Sequence, residues 1–473
     1  MNRKASRIIK FILLAVPFIL GLVGFYMVDG RPLLQSMYIT CQLYLLCGAE
    51  VAPNIWIEIA RWTAPVATAS GIMIAVNYIR RTFLNSVAHI KGHSTAVYGP
   101  ETEKETMLKQ LGTNGIDGND KFIDADRYIL LDSEEENLAF FDRNRTAIGD
   151  RDVFAKCDAL SAKTVAYHNL HLFCTEELAA AEFWKKHCIY SLSKAKGHKL
   201  KIAFIGFGRL GKEVLLSAVQ NNIFSPDQQI DYHIFGNEQG FCNIYHELNP
   251  HISDNINFEK GQWHEQIDLL NSCDMVVVLQ QPMQAELIRN LLLATKCEKI
   301  YVFNAADYST DILENSSRLV NFKWKGFAYN LDKIFDATLF EKAKTLNLRY
   351  ANLYCGVAMT AENRESQWKS LSTFLRYSNI SAADHNDIQR AILTAENQGL
   401  TPETMSAEWF ERLSELEHIR WCRYYWINNW TYGKPADKAE RDAKHIHNDL
   451  MPYAKLDDAE KQKDRDNITY LFS

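Results

Sequence analysis

The sequence predicts a membrane α-helical hairpin plus α/β, with tandem Rossmann-like domains and a small C-terminal α-helical domain. Three observations carry this expectation. Long apolar runs are confined to the first eighty residues, strands alternate with helices from residue 94, and the tail is helical and rich in tryptophan and tyrosine. The four segments expected are 1–80 (hairpin), 81–195 (a degenerate Rossmann-like unit), 196–355 (a Rossmann-like unit) and 356–473 (the C-terminal domain). A length of 473 residues accommodates that number at the usual domain size.

Residues 8–28 and Trp62 to Ile79 are each about as long as a bilayer core requires of a helix. Met37 to Cys47 is shorter, a length typical of a re-entrant or interfacial segment. Within it Tyr38, Thr40 and Gln42 are the pore-lining candidates. The first run is read as an uncleaved span: its apolar core exceeds a signal-peptide h-region, and no A-x-A-like site follows. Arg3, Lys4, Arg7 and Lys10 precede the first span and Arg80, Arg81 and Lys91 follow the second, while the connection holds only Arg31. That bias places both termini in the cytoplasm of a multi-pass membrane protein. Glu58 and Arg61, one turn apart, read either as an interfacial ion pair or as a pore-mouth pair. After Cys47 the chain runs GAEVAPN, which lacks the TVGYG-like loop of a potassium filter. Two spans enclose no pore alone, so conduction requires a homo-oligomer, with a tetramer as the working number.

A net charge of −6 gives no reason to expect nucleic acid as a partner. The ten cysteines contain no CxxC pair, which argues for free thiols and against a zinc site. No metal is expected.

From Ser94 the pattern becomes α/β. STAVYG and RYILLD (Arg127–Asp132) read as strands around a charged helix Glu101–Leu111, and Lys163–Asn169 as a third strand. The first turn, Gly99-Pro100-Glu101-Thr102, lacks the glycines of a dinucleotide fingerprint. The next unit has them. Lys201–Val219 reads strand, then Gly206-x-Gly208-x-x-Gly211 with Arg209, then amphipathic helix. Gly206 suits a tight turn, Gly208 a close approach of pyrophosphate, and Gly211 close helix–strand packing. The second strand (Ile230–Asn237) ends without the usual ribose-binding acid, and Glu238 is the nearest carboxylate. Two readings stay open for this turn: a bound nucleotide or dinucleotide, or glycines retained for packing. Asp274–Gln281 and Lys299–Ala305 are read as later strands of the same sheet.

A two-span hairpin followed by tandem Rossmann-like units resembles ligand-gated channels with a nucleotide-binding regulatory domain of the TrkA-N (RCK) kind. The resemblance covers residues 8–355 as architecture, and its specific motif is GFGRLG.

In the tail, Leu413, Leu416, Ile419 and Trp426 share one helix face, while Glu417, Trp421, Tyr424 and Asn428 share a narrow arc of another. The second arc offers a carboxylate and an amide around aromatic rings, a combination able to stack on a base. Glu417-His418-Ile419-Arg420-Trp421, Asn429-Trp430-Thr431-Tyr432-Gly433, His447 to Leu450-Met451-Pro452-Tyr453, and Lys461 through Asp464-Arg465 follow in order. These segments resemble the RyR domain, with Asn429 where glycine is common. Gln367–His385 resembles the segment that precedes it in bacterial members. The resemblance implies sensing of a nucleotide-type signal, in a bacterial inner-membrane protein of defence type. The ligand candidates are Glu417, His418, Trp421, Tyr424, Trp430, Tyr432, Pro452 and Tyr453, with a small aromatic core as the plainer reading.

Together these features predict a nucleotide-gated oligomeric channel or pore in the lipid bilayer, and not an enzyme. A membrane-anchored NAD(P)-dependent enzyme and a non-conducting sensor that recruits partners are the alternatives.

Overall fold

The computed structural model describes residues 15–45, 54–69, 72, 93–118, 122–157, 167–238, 240–279, 284–304, 312–313, 316–335 and 337–472. The chain divides into two compact units, residues 1–94 with 113–117, and 95–112 with 118–473.

In the first unit, residues 15–28, Leu33–Tyr44 and 55–69 are helical. Their shared inner face is Phe25, Ile39, Leu43, Ile57, Ala60 and Ala64, all buried. Gly21 and Gly24 permit the close approach: a Cβ on Gly21 would stand 2.7 Å from the Thr40 methyl, and one on Gly24 2.5 Å from Ile57 Cγ1. Thr68 Oγ1 donates to Tyr44 O at 2.8 Å across two of the helices. The outer faces are apolar too, with Met27, Leu34, Tyr38, Ile55 and Trp62 exposed. Among the described residues no helix is long and apolar enough to cross a membrane. Residues 8–14 of the first expected span and 70–71 and 73–79 of the second lie outside the described residues. The short middle stretch belongs to a helix that starts earlier than expected, at Leu33, because Pro32 sets an extended backbone just before it. Glu58 and Arg61 form a half-exposed ion pair at 3.6 Å.

The second unit begins with parallel strands Thr95–Tyr98, Arg127–Leu130, Val153–Lys156 and Leu170–Phe173, paired in that order. The sequence reading missed the last two. Of its third strand, 163–166 lie outside the described residues and 167–169 form a turn, so pairing starts at Leu170. Helix Glu101–Leu111 opens with Glu101 and Glu103, and Lys104 pairs with Glu101 at 3.1 Å. This helix N-terminus therefore already carries its own carboxylates, which is unfavourable for a phosphate.

The second sheet is wholly parallel. Its order is Leu319–Phe322, Ile300–Phe303, Met275–Val278, Lys199–Ile205, Gln229–Phe235, Asn255–Phe258. Numbered along the chain from Lys199, that is the 3-2-1-4-5-6 order of a doubly wound dinucleotide-binding fold. Asn255–Phe258 and Leu319–Phe322 escaped the sequence reading because edge strands alternate weakly. The strand order reverses between Lys199–Ile205 and Met275–Val278, where Ile202 faces Met275. Crevices at such switch points are where doubly wound sheets place ligands.

The C-terminal helices do not stand apart from this sheet. Ile388, Ile392, Leu413, Leu416 and Ile468 share one core with Ile202, Phe204 and Ile230. Helix Ala407–Ile427 also carries Arg423, whose Nη1 lies 2.8 Å from Asp254 Oδ2 with both side chains buried. The same nitrogen donates to Val219 O at 2.8 Å. Asp254 also accepts from Ile230 N at 2.9 Å, so the buried carboxylate is well satisfied, while Arg423 keeps two acceptors on Nη1 and leaves its Nε without one.

Candidate functional site

The glycine turn follows the central strand. Gly206 has φ +95°, and its N–H donates to Phe235 O at 2.8 Å. A Cβ on Gly211 would approach Gly206 O to 3.1 Å, and one on Gly236 would reach the Phe207 nitrogen at 2.6 Å. Gly208 differs: a Cβ there would meet nothing within 4 Å. Its lack of a side chain keeps open space at the start of helix Arg209–Asn221, whose first N–H groups and positive dipole end suit a phosphate. Arg209 Nη2 lies 3.2 Å from Glu176 Oε1, so the cation beside the turn is held by a carboxylate from helix Thr175–Lys186. Glu238 does not project as a ribose acid, because its Oε1 accepts from the Cys242 backbone at 3.1 Å.

The tail residues separate into distinct environments. Glu417 is buried and receives both Arg420 Nε (2.9 Å) and Nη2 (2.8 Å). Tyr424 is buried and donates to Phe374 O at 2.7 Å. Trp430 is sandwiched between Phe374, centroids 5.1 Å apart, and His445, also 5.1 Å, leaving no ring face for a base. Glu417 and Tyr424 are turned inward because helix Ala407–Ile427 is covered on nearly every side. Tyr432 and Pro452 are exposed.

His418, Trp421 and Tyr453 do come together. His418 stacks on Trp421 at 5.8 Å and tilts against Tyr453 at 5.8 Å. Tyr425 and His447, absent from the candidate set, complete the cluster at 4.2 and 5.0 Å from the Trp421 ring. His418 Nε2 donates to Met451 O at 2.8 Å, and Nδ1 lies 3.3 Å from Asp464 Oδ2. Burial opposes a charge on His418, but the Cys422 sulfur and the Asp464 carboxylate outweigh it and raise its pKa. Nearby, burial and then the Glu460 carboxylate push Asp449 up to about 6. Tyr453 donates to Glu411 at 3.0 Å, and Glu411 also receives a forked pair from Arg465. Conserving donor geometry in this way holds the aromatic cluster in one arrangement.

The turn explains the residue at 429. Asn429 has φ +58°, a conformation glycine adopts freely and asparagine tolerates. Gly433 is required for space and not for its φ, since a Cβ would stand 2.9 Å from the Ile446 Cβ. Asp457 caps the last helix, accepting from Glu460 N at 2.9 Å. The three pore candidates differ in setting. Tyr38 is exposed, Gln42 is half-buried, and Thr40 is buried with its hydroxyl donating to Ser36 O at 2.7 Å.

One feature had no sequence signal. A cavity of about 150 Å³ lies between strand Leu170–Phe173, helix Thr175–Lys186 and helix Thr373–Ala395, with Gln220 and Tyr424 also on its wall. Its residues come from segments far apart in the chain. Among the described residues there is no cluster able to hold a metal ion, and the cysteines are free thiols.

Residues 397–472 match the RyR domain family. No curated protein matches the chain. Among solved structures, one described as a GsuK channel bound to NAD is 12% identical, with 71% of this chain and 84% of that chain covered and a TM-score of 0.34. At that score its ligand is a fact about that protein alone.

Proposed function

We propose that this chain is a receptor subunit of an oligomeric membrane channel or pore, opened from the cytoplasmic side by a nucleotide-type ligand. The observation that carries the ligand site is the open space above Gly208, at the switch point of a 3-2-1-4-5-6 sheet. A glycine needed only for packing would have neighbours there, as Gly211 and Gly236 do. A nucleotide or dinucleotide phosphate at this turn would compete with Glu176 for Arg209. Helix Thr175–Lys186, which carries Glu176, directly follows strand Leu170–Phe173 of the first sheet, giving occupancy a route into that sheet.

The RyR domain shares a core with the ligand-binding unit and so acts as part of the same body. Within it, the half-buried Trp421 and His447 are the rings proposed to stack on a base, with the buried His418, Tyr425 and Tyr453 holding them in place. The membrane assignment, with both termini in the cytoplasm of a bacterial inner membrane, is supported by charge bias and by the exposed apolar faces of the first unit. Homo-oligomerisation, taken as tetrameric, follows from the need to enclose a pore. No chemistry on the ligand is proposed.

Calorimetry of the detergent-purified full chain with NAD⁺, NADH, ATP and ADP tests the site. Binding of at least one, weakened tenfold or more by Gly208→Val with an unchanged melting temperature, is the expected result. Failure of all four to bind would sink the proposal.

A further inference from the structure

We infer that Cys273 and Cys297 are a redox pair, two thiols placed to close into a disulfide when a peroxide oxidises them. The inference does not depend on the glycine turn, because the pair lies at the opposite end of the strands from the ligand crevice.

Strand register brings the two residues together. Met275–Val278 and Ile300–Phe303 are parallel neighbours, with Val276 opposite Ile300 and Val278 opposite Val302. Val276 N still donates to Lys299 O at 3.2 Å, so the pairing holds to the start of the strands. Cys273 stands three residues before Val276, and Cys297 three residues before Ile300. The two segments therefore enter the sheet side by side, in phase. Neighbouring strands lie about 4.8 Å apart, inside the Cα separation of about 4.4–6.8 Å that a disulfide spans. Both side chains also join one buried cluster, with Ala203, Val276 and Ile300, on the same face of the sheet.

The thiols converge on one helix end. Cys273 Sγ donates to Leu269 O at 3.3 Å and Cys297 Sγ to Leu270 O at 3.2 Å. These are consecutive carbonyls near the end of helix Ile267–Ser272, where the last carbonyls lack intrahelical partners. The backbone around them is pinned. Cys273 N donates to Leu270 O at 3.1 Å, Lys296 N to Asn271 Oδ1 at 2.7 Å, and Arg318 Nε to Cys297 O at 2.7 Å. Groups held this way have little orientational freedom left to lose when they react. Closing the bridge asks each sulfur to leave one weak S–H···O contact and leaves those backbone bonds in place.

Burial first, and then the Cys297 sulfur, push the Cys273 thiol up to about 12. The resting pair is therefore two thiols, slow to react with weak oxidants. Cys273 is 9% exposed against 4% for Cys297, so hydrogen peroxide meets it first. The Cys273 sulfur gives up its proton and attacks one peroxide oxygen. The O–O bond breaks, the leaving hydroxide takes the proton as water, and the sulfur is oxidised to a sulfenic acid. The Cys297 sulfur then attacks that sulfur, and its proton leaves with the displaced hydroxyl as a second water. Two thiols and one peroxide give one disulfide and two waters. The bridge closes the loop that carries helix Gln284–Ala294, which restricts the unfolded chain and staples the two strands together.

The test treats the detergent-purified full chain with hydrogen peroxide, alkylates it under denaturing conditions and digests it without reduction for mass spectrometry. A peptide pair joined through Cys273 and Cys297, two hydrogens lighter than the reduced peptides together, is expected in at least half of the chains and should disappear with dithiothreitol. The melting temperature should rise by several degrees on bridging, and Cys273→Ser or Cys297→Ser should abolish the rise. The inference is overturned if both residues are recovered alkylated while the exposed Cys355 is oxidised. It is equally overturned if either residue ends as an unlinked sulfinic acid, if either is joined to a different cysteine, or if the bridged chain melts no higher than the reduced one. The peptide map of the unsubstituted chain decides the matter even where a substitution fails to fold. Nucleotide binding is read separately with NAD⁺ and ATP, and neither result bears on the other.

Discussion

Four glycines near one turn have separable jobs, and substitution distinguishes them. Gly236→Ala places a Cβ 2.6 Å from Phe207 backbone and side-chain atoms, an overlap expected to destabilise by about 1–3 kcal/mol. A denaturant melt should show that loss, whereas Gly208→Val leaves stability intact. His385 gives a second residue-scale expectation. It is fully buried, and burial first, then the Arg420 and Arg423 guanidiniums, lower its pKa to about 3. A histidine with a depressed folded-state pKa binds its proton more readily when unfolded. Its contribution is therefore complete above the unfolded value, about 6.5, and is lost as pH falls toward 3. Melting temperature should drop through that window, and His385→Asn should flatten the drop. Unchanged acid sensitivity in the variant would show that other groups dominate.

At the scale of elements, the joint between helix Ala407–Ile427 and the second sheet rests on the Arg423–Asp254 pair. Removing one partner leaves the other charge buried and alone, which costs about 3–5 kcal/mol in comparable cases. Asp254→Ala is expected to unfold the C-terminal helices and the sheet together, since they share a core. Asp254→Leu with Arg423→Met should recover most of that loss, and the interaction term of a double-mutant cycle measures it. Independent melting of the two parts in Asp254→Ala would contradict a single cooperative body. The sequence displayed both elements but not their union, because Asp254 and Arg423 lie far apart in the chain and each reads as an ordinary surface charge.

For the whole molecule the question is whether occupancy changes the state of the proposed membrane hairpin. A ligand shifts a closed–open equilibrium only by its differential affinity for the two states. Moving from 1:99 to 99:1 takes about 5.5 kcal/mol, which several sites in one oligomer supply more easily than one. Proteoliposomes carrying the full chain should show ion flux that rises with the nucleotide that binds, and Gly208→Val should remove the response while leaving protein insertion unchanged. Flux without ligand dependence, or bound nucleotide without flux, would separate gating from binding and favour a non-conducting sensor.

Sequence alone determined what depends on neighbours in the chain: the central strand and its GxGxxG turn, the helical tail and the RyR pattern that matches residues 397–472. Those signals survive because turn geometry and helix periodicity are local. Tertiary structure decided which side chains face inward. It withdrew Glu417, Tyr424 and Trp430 into ion-paired and stacked core positions and brought Tyr425 and His447 to Trp421. It also opened the cavity beside Glu177. A helix wheel shows a polar arc and a buried one alike when the helix is covered all round, so only the partners packed against it tell a site from a core.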